Sequence, residues 1–248
     1  MPDPAAAGRP VTERLGVPWT GRDVLGGIVL LLLALAALLG FLAVAIRPED
    51  GRPAGPELTL GTVVSTVIIE AILLVIAFAL GRRRGARARD FGLRPFHPSA
   101  FLAAGFVLIT GFTINLLYFV AVQAIGLEQL RPTTARDLLP LFGQGSERLI
   151  IGLSLSSLIA PAAEELFFRG FVFGGLRDRL GVAGATVVSS IVFSTVHFQA
   201  GNLIPIFALG CLLALLYHQT NSIFPPIIVH TTFNAISVLA AYLAVTNL

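Results

Sequence analysis

Apolar residues in this chain fall in solid blocks, neither alternating nor forming single stripes. Seven runs, 24–46, 58–80, 100–126, 149–176, 182–198, 202–220 and 223–245, are long and apolar enough to cross a bilayer as helices, which takes about 20 residues each. The period-two alternation of a membrane barrel is missing. The pattern predicts an all-α membrane protein, a polytopic bundle of seven transmembrane helices, or eight if the 127–148 connection hides a re-entrant or surface helix. The first run exceeds a signal-peptide core and reads as a retained span. Residues 1–23 read as a loose cytoplasmic tail, 24–126 as accessory transmembrane helices with an Arg-rich cytoplasmic loop at 81–99, and 149–246 as the core. No internal repeat is visible, which argues against a secondary transporter.

Composition sharpens this. Of 248 residues, 55% are hydrophobic and 12% charged, about half the charged share of soluble domains. All 17 basic residues are arginine, which with the Ala and Gly content suggests a GC-rich bacterial genome. These arginines border apolar runs, so they report topology and not a nucleic-acid partner. With the amino terminus inside, eleven fall in cytoplasmic segments and five (Arg47, Arg52, Arg131, Arg136, Arg148) outside, while Arg169 lies within a span. That places the chain in the cell membrane, multi-pass, with a cytoplasmic amino terminus. The single cysteine, Cys211, has no internal disulfide partner and reads as a small packed hydrophobe.

Charges inside apolar runs are costly, so each needs a reason. The fourth run carries Glu164, Glu165 and Arg169 behind Pro161. Glu165 and Arg169, four apart, share a helix face and can pair. Glu164, rotated by about 100°, is free to face a cavity, and Pro161 predicts a kink beside it. The fifth run holds Phe193 and His197 on one face, and the seventh His230 and Asn234. At about 1.5 Å per residue, Glu164 and His197 lie roughly 20 and 22 Å from the cytoplasmic ends, Asn234 roughly 17 Å and His230 roughly 11 Å. Glu164, His197 and Asn234 should therefore share a layer, with His230 nearer the cytoplasm. Glu70, in the second span, reads as structural. Asn115 and Gln123 are expected to bond across helices.

A carboxylate and an imidazole around one water make a general base, and Asn234 with His230 can donate to a developing oxyanion. The same Glu and His groups could ligate a metal, zinc by preference, through Glu164, His197 and His230. A His-Glu-x-x-His helix is absent, and every Asp lies outside the spans, so zincin and aspartyl-dyad chemistries are not available. A non-catalytic membrane scaffold could use the same polar groups as interhelical glue.

Three motifs in order, Glu164-Glu165-x-x-x-Arg169, Phe193-x-x-x-His197 and His230-x-x-x-Asn234, resemble the CAAX protease and bacteriocin-processing (CPBP, or Abi) family of intramembrane proteases, which includes type II CAAX prenyl endopeptidases. Asp90-Phe91-Gly92-Leu93-Arg94 looks like the segment that often precedes that core. The resemblance covers about 150–240 and implies an intramembrane endopeptidase with a cavity open towards the cytoplasm and the bilayer. By it, Glu164 and His197 activate water, His230 and Asn234 form the oxyanion site, and Glu165, Arg169 and Phe193 support them. A glutamate-water mechanism without a metal cofactor fits this set better than zinc. The expected partners are a peptide or membrane-protein substrate and the lipid bilayer, with no nucleic acid.

Overall fold

The computed structural model describes residues 16–45, 56–142 and 145–246, all helix, turn and loop with no strand among them. The long helices are α1 (Gly21–Ala45), α2 (Pro56–Arg83), α3 (Ala100–Ile125), α4 (147–180), α5 (182–195), α6 (Leu203–Thr220) and α7 (Phe224–Thr246). Six stretches suffice in length and composition to cross a membrane, one of them the 49-residue Glu147–Thr195. Gly181, at φ 68° and ψ 175°, divides that stretch into α4 and α5. Few residues other than glycine adopt this backbone. The chain doubles back there, bringing Phe193 edge-on to Phe168. Seven helices result, as the hydrophobic blocks predict. The 127–148 connection forms only short turns, among them Glu128–Leu130 and Ala135–Leu138, so the described residues hold no eighth span.

The helices are apolar almost all round, as lipid requires. Leu102, Phe106, Ile109 and Leu117 project outward from α3. Polar connections gather at two ends. At one end Arg84 pairs with Asp23 at 2.9 Å, the Ser222 hydroxyl donates to the Arg94 carbonyl, and the Ile223 amide donates to the Gly92 carbonyl. At the other, Asn202 Nδ2 donates to the Thr133 carbonyl and the Tyr118 hydroxyl to that of Leu130. The first end carries Arg22, the arginines of 82–94, Arg177 and Arg179. Arg47, Arg52 and residues 1–15 lie outside the described residues.

Two expectations are corrected. The end of the presumed loose tail is built into the core: Trp19 is buried, stacks on Phe91 at 4.7 Å and donates from Nε1 to the Phe171 carbonyl at 2.9 Å. Thr20 and Asp23 form a capping interaction that starts α1 at Gly21. Asn115 does not bond across helices. Its amide donates to the Gly111 carbonyl one turn earlier in α3.

Helix α4 is unusual along its length. Two π-helical stretches, Leu153–Ile159 and Leu166–Phe173, flank the α-helical Ala160–Glu165. Pro161 has no N–H to donate and its ring crowds the preceding turn. A widened π turn just before it relieves both, in place of a simple kink. In the second π stretch the Phe171 carbonyl accepts from both the Gly174 amide and the Trp19 indole. The 88–91 turn packs under this stretch so closely that a Cβ at Gly170 would sit 2.9 Å from the Phe91 carbonyl oxygen.

Candidate active site

The site begins with the pair read from the sequence. Arg169 Nη1 donates to Glu165 Oε1 at 2.8 Å, with both side chains fully buried. A second guanidinium nitrogen donates to the Gly210 carbonyl, and the cation lies 4.3 Å over the Phe193 ring. Removing two charges from water is costly, and these partners offset part of the cost, although Glu165 Oε2 and Arg169 Nε are buried without a hydrogen bond. His230 joins the pair, with Nδ1 2.9 Å from the same Glu165 oxygen. A carboxylate accepts, so Nδ1 carries the proton and donates. The other ring nitrogen, Nε2, then faces Glu164 Oε2 at 3.6 Å.

Glu164 points away from Glu165, as the 100° offset requires. It lines a cavity of about 280 Å³ between α1, α2, α4 and the turn after α5. That volume holds several waters at about 30 Å³ each. His197 lines the same cavity, as do Glu70, Ser65 and Thr66 of α2. Leucines of α1, among them Leu31, Leu35 and Leu38, form its apolar wall. Ten of the fifteen lining residues come from α1 and α2, so the spans read as accessory supply most of the wall.

His197 is not mid-helix. Helix α5 ends at Thr195, and His197 stands in the turn beyond it, where Phe198 takes a left-handed φ of 52°. At about 1.5 Å per residue α5 is only about 21 Å long, short of the roughly 30 Å hydrocarbon thickness. The turn therefore stops at the depth of Glu164. Irregular backbone at that depth is tolerated where it is covered by protein or lines a cavity. Here the Val196, His197 and Phe198 amides find partners at Val192, Ser194 and Thr195. His197 Nδ1 lies 2.7 Å from the Phe193 carbonyl oxygen, which makes Nδ1 the protonated nitrogen and leaves Nε2 as the acceptor. The Phe193 ring stands edge-on to both imidazoles, at 4.9 Å from His197 and 5.8 Å from His230. It fixes the two histidines around one aromatic post.

The depth ordering on α7 differs from the expected one. His230, not Asn234, lies beside the carboxylates. Asn234 is one turn further along and donates from Nδ2 to the Ser156 carbonyl at 2.7 Å, inside the first π stretch. Helix tilt and the two π stretches shift the register that a straight 1.5 Å count assumes.

Glu70 is the residue sequence reasoning set aside. It is buried, its Oε2 has no hydrogen-bond partner, and it faces the cavity that Glu164 and His197 line. The signal was present: a lone acid in the middle of a span is a site candidate by default. Among the described residues no three His, Cys, Asp or Glu side chains are placed to hold a metal ion.

Residues 146–236 match the family model of the Rce1-like type II CAAX prenyl endopeptidases. The putative membrane peptidase YdiL of Bacillus subtilis is 33% identical over 93 residues, 38% of this chain and 38% of YdiL. The membrane-embedded CAAX protease MroQ of Staphylococcus aureus is 27% identical over 142 residues, 53% of this chain and 56% of MroQ. The UPF0177 protein YxdF of Lactococcus lactis is 27% identical over 131 residues, 51% of this chain and 70% of YxdF. The chain thus spans about four tenths to just over half of the first two relatives. No solved structure matches it.

Proposed function

We propose that this chain, whose residues 146–236 match the model of the Rce1-like type II CAAX prenyl endopeptidases, is an intramembrane endopeptidase that cleaves a peptide bond with water held in the α1/α2/α4 cavity. One observation carries the reading: Glu164 and His197, from different helices, line the same cavity. In it, Glu164 takes the proton as water attacks the carbonyl carbon, and His197 Nε2 accepts a hydrogen bond from that water and orients it. His230 and Asn234 stabilise the oxyanion. Asn234 has a second amide N–H beyond the one given to Ser156. His230 donates from Nε2 when doubly protonated, with Glu165 as its counter-ion. Glu165, Arg169 and Phe193 hold these groups in place.

Orientation belongs to the same proposal. The arginine-rich end is cytoplasmic by the positive-inside rule, with the amino terminus on that side. The cavity is lined by Leu31 to Leu42 of α1, by Ser65 to Leu73 of α2 and by the turn at 196–198, on the side of the bundle centre away from that end. Substrate then reaches it from the bilayer, as the family resemblance implies, or from the non-cytoplasmic half, where that resemblance implies a cytoplasmic opening. The catalytic core is 149–246, with α1 and α2 as its substrate wall.

The test uses the full chain in liposomes with a library of membrane-anchored peptides, prenylated and unprenylated. His197→Ala is expected to lower cleavage by about 10²-fold or more, because the general base Glu164 then acts on a water that is no longer oriented, and Asn234→Ala by about 10²–10³-fold, as for an oxyanion donor. Both variants should keep the wild-type thermal midpoint within a few degrees. Wild-type rates in both would overturn the assignment.

A further inference from the structure

We propose that Glu70 of α2 is a further catalytic residue, the acid that protonates the leaving nitrogen of the cleaved peptide bond. The proposal rests on the hydrolytic reading above, and it adds a residue that lies outside the 146–236 segment carrying the family match.

Peptide hydrolysis needs two proton transfers. Water must lose a proton as its oxygen bonds to carbon, and the amide nitrogen must gain one as the C–N bond breaks, because an amide anion is a very poor leaving group. The polar groups of the cavity can be sorted by where their protons are already held. Ser65 donates its hydroxyl to the Thr62 carbonyl at 3.0 Å, and Thr66 donates to the same oxygen at 2.9 Å. His197 holds its Nδ1 proton on the Phe193 carbonyl. His230, just behind Glu164, holds its Nδ1 proton on Glu165, and the Nε2 proton it carries when doubly protonated is the one given to the oxyanion. Glu164 is the base. That leaves Glu70: it is 6% exposed, its Oε2 makes no hydrogen bond, and it lines the same cavity as Glu164. A buried carboxyl with no partner is otherwise hard to account for, since desolvating it without a hydrogen bond costs on the order of 1–3 kcal/mol.

The step balances. The Glu164 carboxylate takes one proton from water as the new C–O bond forms. The Glu70 carboxyl gives one proton to nitrogen as the C–N bond breaks. The products are a carboxylic acid and an amine, and the proton on Glu164 passes to Glu70 through cavity water before the next turnover. Two carboxyls in one site, one as base and one as acid, is a division of labour that environment alone can set.

The experiment compares a peptide substrate with its depsipeptide, in which an ester replaces the scissile amide, using wild type, Glu70→Gln, Glu70→Asp and Glu164→Gln in liposomes. An alkoxide leaves far more readily than an amide anion and needs an acid less. Glu70→Gln is expected to lower kcat on the amide by about 10²-fold or more and to leave ester cleavage within a few-fold of wild type, with KM little changed. Glu70→Asp should restore part of the amide rate. Glu164→Gln should lose both substrates, which separates the two roles. Equal loss on amide and ester in Glu70→Gln, or no loss on the amide, would overturn the proposal while leaving the hydrolytic reading intact. Wild-type protein that cuts neither substrate would overturn both.

Discussion

At the residue scale the site is a charge cluster that is stable only when complete. Glu165 Oε1 receives hydrogen bonds from both Arg169 and His230, so removing the cation strands a buried carboxylate. Arg169→Leu is expected to destabilise the protein by about 3–5 kcal/mol, the usual result of breaking one half of a buried pair, read as a lower thermal midpoint in detergent. The double variant Arg169→Leu/Glu165→Gln should recover part of that loss. An unchanged midpoint in the single variant would contradict the pairing. This pair was legible in the sequence because an i, i+4 spacing on one helix fixes who can meet whom. The contact of His230 with both glutamates was not, because it depends on how two helices 65 residues apart are tilted. Glu70 was read as structural for the same reason: its neighbours lie on other helices, and only the packed bundle shows the cavity it faces.

At the scale of elements, the π stretches of α4 set the direction of Glu164. Each π turn accommodates an extra residue, and everything beyond it is rotated relative to an unbroken α-helix. Ser156 must meet Asn234 from within the first stretch, while Glu165 must meet His230 beyond it. Deleting Leu158, which projects outward from that stretch, removes the extra residue and turns Glu164 by about 100° relative to Ser156. Cleavage should be lost while the protein still inserts. Full activity in the deletion would show that the π geometry does not position the base. Hydrophobic blocks foretold all seven helices and most of their ends, since lipid fixes length and apolarity. They were silent on the π turns and on the early end of α5, because backbone hydrogen-bond register leaves no mark on hydropathy. They also hid Trp19, whose polar neighbours suggested a tail although its ring belongs to the core.

At the scale of the whole molecule, the cavity is set away from the arginine-rich end of the bundle. In a Cys211→Ala background, cysteine at Arg89 should resist membrane-impermeant thiol reagents in intact cells, and cysteine at Glu128 should react. The opposite pattern would invert the bundle and the side from which substrate arrives. The central claim, that Glu164 activates water for peptide-bond cleavage, does not depend on that orientation. The most direct test is the single-turnover cleavage rate of Glu164→Gln against wild type in the same liposomes, with thermal midpoints measured in parallel. The account predicts a loss of at least about 10³-fold, within the range of a positioned general base, at a nearly unchanged midpoint. A Glu164→Gln protein that cleaves at the wild-type rate would contradict it.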